Sequence, residues 1–270
     1  MAKTRQRPRT GRRHPLAAAL LVAVGLSLTG GVYAVASTAL PAPESTAVHS
    51  AEDIAEGGKL FAANCASCHG LDAAGSDSGP SLIGVGALAV DFQVGTGRMP
   101  MQADGPQAVR KPVQFSQAQI DKLAAYVASL APGPEIPSDE YFDISNVSDE
   151  DLAKGAELFR INCAMCHNVN YAGGALTQGK FAPTLIGVSE KHIYAAMVIG
   201  PQNMPVFNNT NITPEEKRNI IAAVKWAETN PSPGGIDLGG LGPVSEGLFI
   251  WLVGLLGVVG ITVWMTSRAN

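Results

Sequence analysis

Aromatic residues are scarce in this 270-residue chain, 6% of positions, although hydrophobic residues make up 46%. Cores built mainly from aromatic side chains are therefore not expected. The 30 glycines and 18 prolines point instead to compact, loop-rich domains organised around something else. Basic residues are thin in the middle: residues 37–247 hold 12 Lys/Arg against all 23 Asp/Glu, a net of −11. That balance argues against a nucleic-acid partner and suits either plain solubility or partners with positive patches. Strand-like alternation stands out nowhere in the repeated middle of the chain, so the expected fold class is mainly α. Cysteine is scarcer still, with four residues. The four thiols, Cys65, Cys68, Cys163 and Cys166, are used up in two hexamers, NCASCH (64–69) and NCAMCH (162–167).

Long runs that are both uncharged and strongly apolar occur only near the ends. Behind a basic tip (Lys3, Arg5, Arg7, Arg9, Arg12, Arg13), residues 16–36 carry no charge over about the length needed to span a bilayer. Ala34 and Ala36 also form an A-x-A site, so residues 1–36 read as a retained anchor or a signal segment. Residues 248–266 are uncharged, with Trp251 and Trp264 near their ends and Arg268 just beyond. That pattern predicts a transmembrane helix with interfacial aromatics. The positive-inside rule puts both tips in the cytoplasm and the acidic middle outside. Gly254, Gly257 and Gly260 leave a smooth stripe on this helix where another membrane helix could pack.

The middle is written twice. GGKLFAANCASCHG matches KGAELFRINCAMCHN; GPSLIGVG matches APTLIGVS; VGTGRMPM matches IGPQNMPVF. Each copy closes on a predicted helix with a capping-box start, Ser116 with Gln119 and Thr213 with Glu216. Two copies of this length mean two similar domains, 51–131 and 149–229. Residues 132–148 read as a linker. Residues 230–247 read as a Gly/Pro-rich tether with a flexible reach of roughly 25 Å, able to let the domains shift relative to the membrane.

Three chemistries compete for a Cys-x-x-Cys-His box. Structural zinc wants paired Cys-x-x-Cys knuckles close together, and 94 residues lie between Cys68 and Cys163. A thioredoxin-type pair belongs beside parallel β-structure, for which there is no sign. Neither explains a histidine directly after the second cysteine in both copies. Covalent haem c explains all three residues: two thiols a helical turn apart form thioethers, and the adjacent imidazole lies under the iron. The cofactor expected is therefore two covalently bound haem c groups, with Cys65, Cys68, Cys163 and Cys166 attaching them and His69 and His167 as iron ligands.

A second axial ligand is sought among the methionines, because a soft thioether stabilises the reduced iron. Met99 and Met204 occupy matching Met-Pro dipeptides with Gly-rich approaches, whereas Met101, Met165 and Met197 have no such match. Met197 reads as core packing. Pro80 and Pro183 precede the matched Leu-Ile-Gly segments, and their carbonyls are candidates to hold the outer nitrogen of each histidine. His192 reads as a surface or outer-lying histidine on a helix with no counterpart in the first copy. His14 and His49 are assigned no role.

Each copy resembles a class I cytochrome c domain. The resemblance rests on the box, the Pro-Leu-x-Gly and Met-Pro segments, and a helix-crossing set: Gly57, Phe61 and Tyr126 in the first copy, Gly155, Phe159 and Trp226 in the second. With its two end segments, the layout is similar to the dihaem cytochrome c subunit (cytochrome cc) of actinobacterial cytochrome bcc, or quinol–cytochrome c reductase, complexes. That resemblance implies an electron carrier without a substrate site of its own, inside a proton-translocating oxidoreductase complex of the cell membrane. It implies cytochrome b and the Rieske iron–sulfur protein as partners, an aa-type oxidase as acceptor, and haem domains on the extracytoplasmic side. A dihaem acceptor subunit of a dehydrogenase on that same side is the alternative; a dihaem peroxidase fits less well, because it needs an exchangeable axial site. The copies also differ: Met99 lies 30 positions after His69, but Met204 lies 37 after His167.

Overall fold

A computed structural model describes residues 15–39, 49–103, 105–230 and 243–267. The basic tip with His14 and most of the expected tether, with its proposed freedom of movement, lie outside these residues. Residues 1–46 form one compact unit and residues 47–270 another. The first unit contains helix α1 (Pro15–Ala39), whose described side chains over residues 16–31 are nearly all exposed.

The second unit is mostly helical, as the lack of alternation predicts. Helix α2 (Ala51–Asn64) starts at Ser50, whose hydroxyl accepts from the Asp53 N–H. The one-turn helix α3 (Ala66–His69) follows, then α4 (Gly86–Gly95) and α5 (Gln117–Leu130). The second copy repeats the order with α6 (Asp149–Asn162), α7 (Ala164–His167), α8 (Glu190–Ile199) and α9 (Pro214–Thr229). Both predicted capping boxes form, at Ser116–Gln119 and Thr213–Glu216, so the closing helices start where the sequence signals them. Helix α4 is the counterpart of α8. The expectation that the His192 helix has no partner in the first copy is therefore corrected; the small-residue segment GALAVDFQVG hid it by lacking a clear apolar stripe.

Each domain is built on a close crossing of its first and last long helices. A Cβ on Gly57 would run into the Lys122 carbonyl, and one on Gly155 into that of Asn219, so only glycine lets these backbones approach. Beside the first crossing, Phe61 is buried and its ring lies 5.1 Å from that of Tyr126. The second crossing corrects the sequence expectation. Phe159 pairs with Tyr171 at 4.4 Å, while Trp226 is 45% exposed. The register explains why: Tyr126 stands four residues after Lys122, and four residues after Asn219 is Ala223, not Trp226.

A short antiparallel hairpin, β1 (Gly174–Ala175) with β2 (Phe181–Ala182), interrupts the helical pattern of the second domain. It is too short to be read from periodicity. Residues 132–148 run along both domains: the Leu88 N–H donates to the Pro134 carbonyl at 3.0 Å, and the Tyr141 and Phe142 rings meet that of Tyr194.

At the C-terminal end, α10 (Pro243–Phe249), a π-helical turn (Ile250–Leu255) and α11 (Leu256–Ser267) are continuous. Gly247–Ser267 is long and apolar enough to cross a membrane. Leu248, Trp251, Leu256, Ile261 and Trp264 are all exposed, as suits a helix solvated by lipid.

Candidate functional site

In each domain the long first helix ends on the first cysteine of the box. The Cys65 N–H donates to the Phe61 carbonyl, and the one-turn helix that follows carries Cys68 and His69 onward. The second box repeats this through Phe159, Cys163, Cys166 and His167. No disulfide joins the thiols. Burial, and then the neighbouring thiol, pushes Cys65 and Cys163 up to about 11. A redox dithiol needs the opposite, a lowered value that supplies thiolate.

Both imidazoles are buried and held the same way. His69 Nδ1 lies 2.7 Å from the Pro80 carbonyl, and His167 Nδ1 lies 3.0 Å from that of Pro183. A carbonyl can only accept, so Nδ1 carries a proton and Nε2 is the nitrogen left to face a ligand site. Burial also pulls His167 below its usual value, which keeps the ring neutral, and the Pro183 bond opposes this. Gly79 completes the first cradle: a Cβ there would sit 3.1 Å from His69 Nδ1 and 2.8 Å from the Cys68 carbonyl. Sequence reasoning passed over Gly79, and its place just before Pro80 was the available signal. In the second domain that place is taken by Ala182, on β2.

The methionines sort by position. Met99 packs against the first core, as do Cys65, Ala66 and Leu82. Met204 packs against the second core, which includes Cys163 and is also packed by Ala164 and Leu185. Each therefore shares a core with the box of its own domain. Met197 is buried core, whereas Met165 is 94% exposed. Met101 is half-buried. His192 stands apart from both boxes, with Nε2 3.9 Å from Asp91 of the first domain. His49 lies 4.0 Å from Glu135.

The donor set fits a c-type haem. Each domain offers two thiols one turn apart, an imidazole whose Nδ1 is engaged by a carbonyl and whose Nε2 is left over, and a thioether in the same core. Among the described residues, no group of three or more His, Cys, Asp or Glu comes together to hold a bare metal ion.

Comparison with known proteins agrees. Residues 54–131 match the family model of cytochrome c, and residues 150–222 match that of cytochrome c oxidase, cbb3-type, subunit III. The cytochrome bc1 complex cytochrome c subunit of Corynebacterium efficiens is 43% identical over 95% of this chain and 90% of its own length. Its namesake in Mycobacterium bovis is 43% identical over 97% and 95%. A more distant likeness, 30% over 44% of the chain, links it to the cbb3-type oxidase subunit FixP of a Bradyrhizobium. A match of this level over nearly the whole length, on a scaffold with two cytochrome c domains, makes this chain a member of the cytochrome bc1 complex cytochrome c subunit family.

Proposed function

We propose that the chain is a membrane-anchored dihaem relay. It takes electrons from a Rieske iron–sulfur protein and delivers them to an aa-type terminal oxidase, within a quinol–cytochrome c reductase that also contains cytochrome b. Cys65 and Cys68 hold one haem by thioethers, and Cys163 and Cys166 hold the other. His69 and Met99 would hold the first iron, and His167 and Met204 the second. When bound, each haem supplies reversible one-electron exchange between ferric and ferrous iron.

The chain's own residues orient the site and set its chemistry. The Pro80 and Pro183 carbonyls fix each imidazole in one tautomer and raise its basicity as a ligand. As ligands, the Met99 and Met204 thioethers would favour the reduced state and raise the potential. The apolar cores around them exclude water. The observation carrying this reading is the twofold recurrence of one arrangement, box, imidazole–carbonyl pair and same-core methionine. The flanking basic tips favour an extracytoplasmic side for both domains.

Purification of the intact assembly in mild detergent tests the partners: b-type haem and oxidase subunits are expected with the chain, and recovery with a flavoprotein or quinoprotein dehydrogenase instead would sink the relay. Met99→Ala and Met204→Ala test the ligands. Each is expected to abolish one methionine–iron charge-transfer band and lower one of two potentials; the same loss in Met101→Ala or Met197→Ala would reassign the ligand.

A further inference from the structure

The two cytochrome domains meet along a seam that joins unmatched additions of the repeat at one end and the equivalent helices α4 and α8 at the other. Between the box histidine and the Leu-Ile-Gly segment, the second domain carries five more residues than the first, and these accommodate the β1–β2 hairpin. Between the Met-Pro dipeptide and the closing helix, the first domain carries eight more residues than the second. These two additions touch. Gln107 Nε2 donates to the Phe181 carbonyl at 2.8 Å, and the Phe181 N–H donates to Gln107 Oε1 at 2.8 Å. In the reverse sense, the Ala108 N–H donates to Gln202 Oε1 at 3.2 Å, and Gln202 Nε2 donates to the Ala108 carbonyl at 3.0 Å. Each domain thus lends one glutamine that pairs with the other's backbone as a neighbouring strand would.

The far end of the seam is closed differently. Leu88 and Phe92 on α4 pack with Ala195 on α8 in a buried cluster. Lys191 Nζ lies 2.7 Å from the Asp91 carboxylate, which is itself 2% exposed, and Gln117 of the first domain donates to the same oxygen at 3.4 Å. A buried ion pair of this kind contributes less to net stability than to fixing one arrangement over others. The two glutamine clamps lie on the segments that lead to or from Pro183, Met204 and Met99. Phe181 is two residues before Pro183, Gln202 is two before Met204, and Gln107 lies on the strap that leaves Met99.

We propose that Gln107 and Gln202, with Asp91–Lys191 at the other end, are positioning residues that lock the two domains into one rigid body and fix the ligand loops of one against those of the other. The proposal rests on the dihaem reading above. Electron tunnelling falls exponentially with distance, so a seam that fixes separation and orientation fixes the internal transfer rate, as positioning does for any reaction step.

The test uses the full-length protein in detergent, spin-labelled at Ala55→Cys and Ala153→Cys, both exposed and on equivalent helices α2 and α6. The parent is expected to give one narrow inter-label distance. Gln107→Leu with Gln202→Leu, which keep bulk but remove the amides, is expected to broaden it and to slow haem-to-haem transfer after flash reduction roughly tenfold. Lys191→Met, which removes the opposite anchor from the other domain, is expected to broaden it as well. Both c-type absorbances should persist unchanged, which separates a loosened seam from a domain that failed to fold. An unchanged narrow distance and unchanged rate in both variants overturn the proposal. Failure of the dihaem reading shows separately, as missing c-type absorbance and as labels taken up by the four box thiols.

Discussion

The first and second domains hold their boxes alike and differ in almost everything placed outside them. In both, a serine-capped helix delivers the first cysteine, a glycine admits the closing helix, and a proline carbonyl holds the histidine. Away from the box, equivalent places carry opposite chemistry. The fourth residue of α5 is Ile120, buried in the first core; the fourth of α9 is Lys217, equally buried, with Nζ donating to Asn209 Oδ1 and the Ile212 carbonyl at 2.8 Å each. Tyr126 flanks one crossing, while Tyr171, from a loop rather than a helix, covers Phe159 near the other. The shared parts are those where a backbone must approach another closely. Such approaches leave no room for variation, whereas outer positions can be filled in more than one way.

The largest effect is expected where both domains depend on the same feature. Gly57→Val and Gly155→Val each drive a side chain into a backbone carbonyl that cannot rotate away. Each should cost about 3 kcal/mol or more and abolish one of two unfolding transitions in calorimetry, leaving the other domain intact. Loss of both transitions together would mean that the domains fold as one.

Lys217 sharpens the contrast through pH. Burial lowers it from its usual 10.5 to about 8. Between those values the unfolded chain holds the proton that the folded chain has lost, so stability rises with pH there and the burial cost is fully present below about 8. Denaturant unfolding of the second domain should show a gain of up to about 3 kcal/mol across that window, and Lys217→Ile should flatten it. A slope that survives in Lys217→Ile would assign the effect to another group.

The smallest effect separates the two aromatic positions. Tyr126→Ala removes a ring packed on Phe61 and should cost about 3 kcal/mol, whereas half-exposed Trp226→Ala should cost under about 1 kcal/mol. Equal losses in thermal melts would restore Trp226 as the crossing partner.

The boxes, the closing helices and their caps were legible because each depends on residues adjacent in sequence: Cys-x-x-Cys-His, Ser-x-x-Gln, Thr-x-x-Glu. The close crossings were legible through Gly57 and Gly155. Trp226 misled because the crossing register, not the nearest aromatic, fixes the partner: with Lys122 matched to Asn219, the place of Tyr126 falls to Ala223, and Trp226 stands three residues further on. Helix α4 was missed because GALAVDFQVG is apolar on nearly every side; Leu88 and Phe92 face the other domain rather than solvent. His192 was read as an outer residue for want of a partner, since the carboxylate it faces stands 101 positions earlier.

The residue order alone specified the two Cys-x-x-Cys-His boxes, because two thiols and an imidazole at that spacing are fixed by neighbours in sequence. It also determined the apolar end segment, because length and hydropathy alone make Gly247–Ser267 long and apolar enough to cross a membrane. Tertiary structure decided how the domains meet. Gln107 and Phe181, Gln202 and Ala108, and Asp91 and Lys191 are each separated by 74 to 100 positions, and no local pattern marks them as partners. Hydrogen bonds and ion pairs of that range exist only once two cores have been brought together, so the seam is a property of the folded pair and not of either repeat.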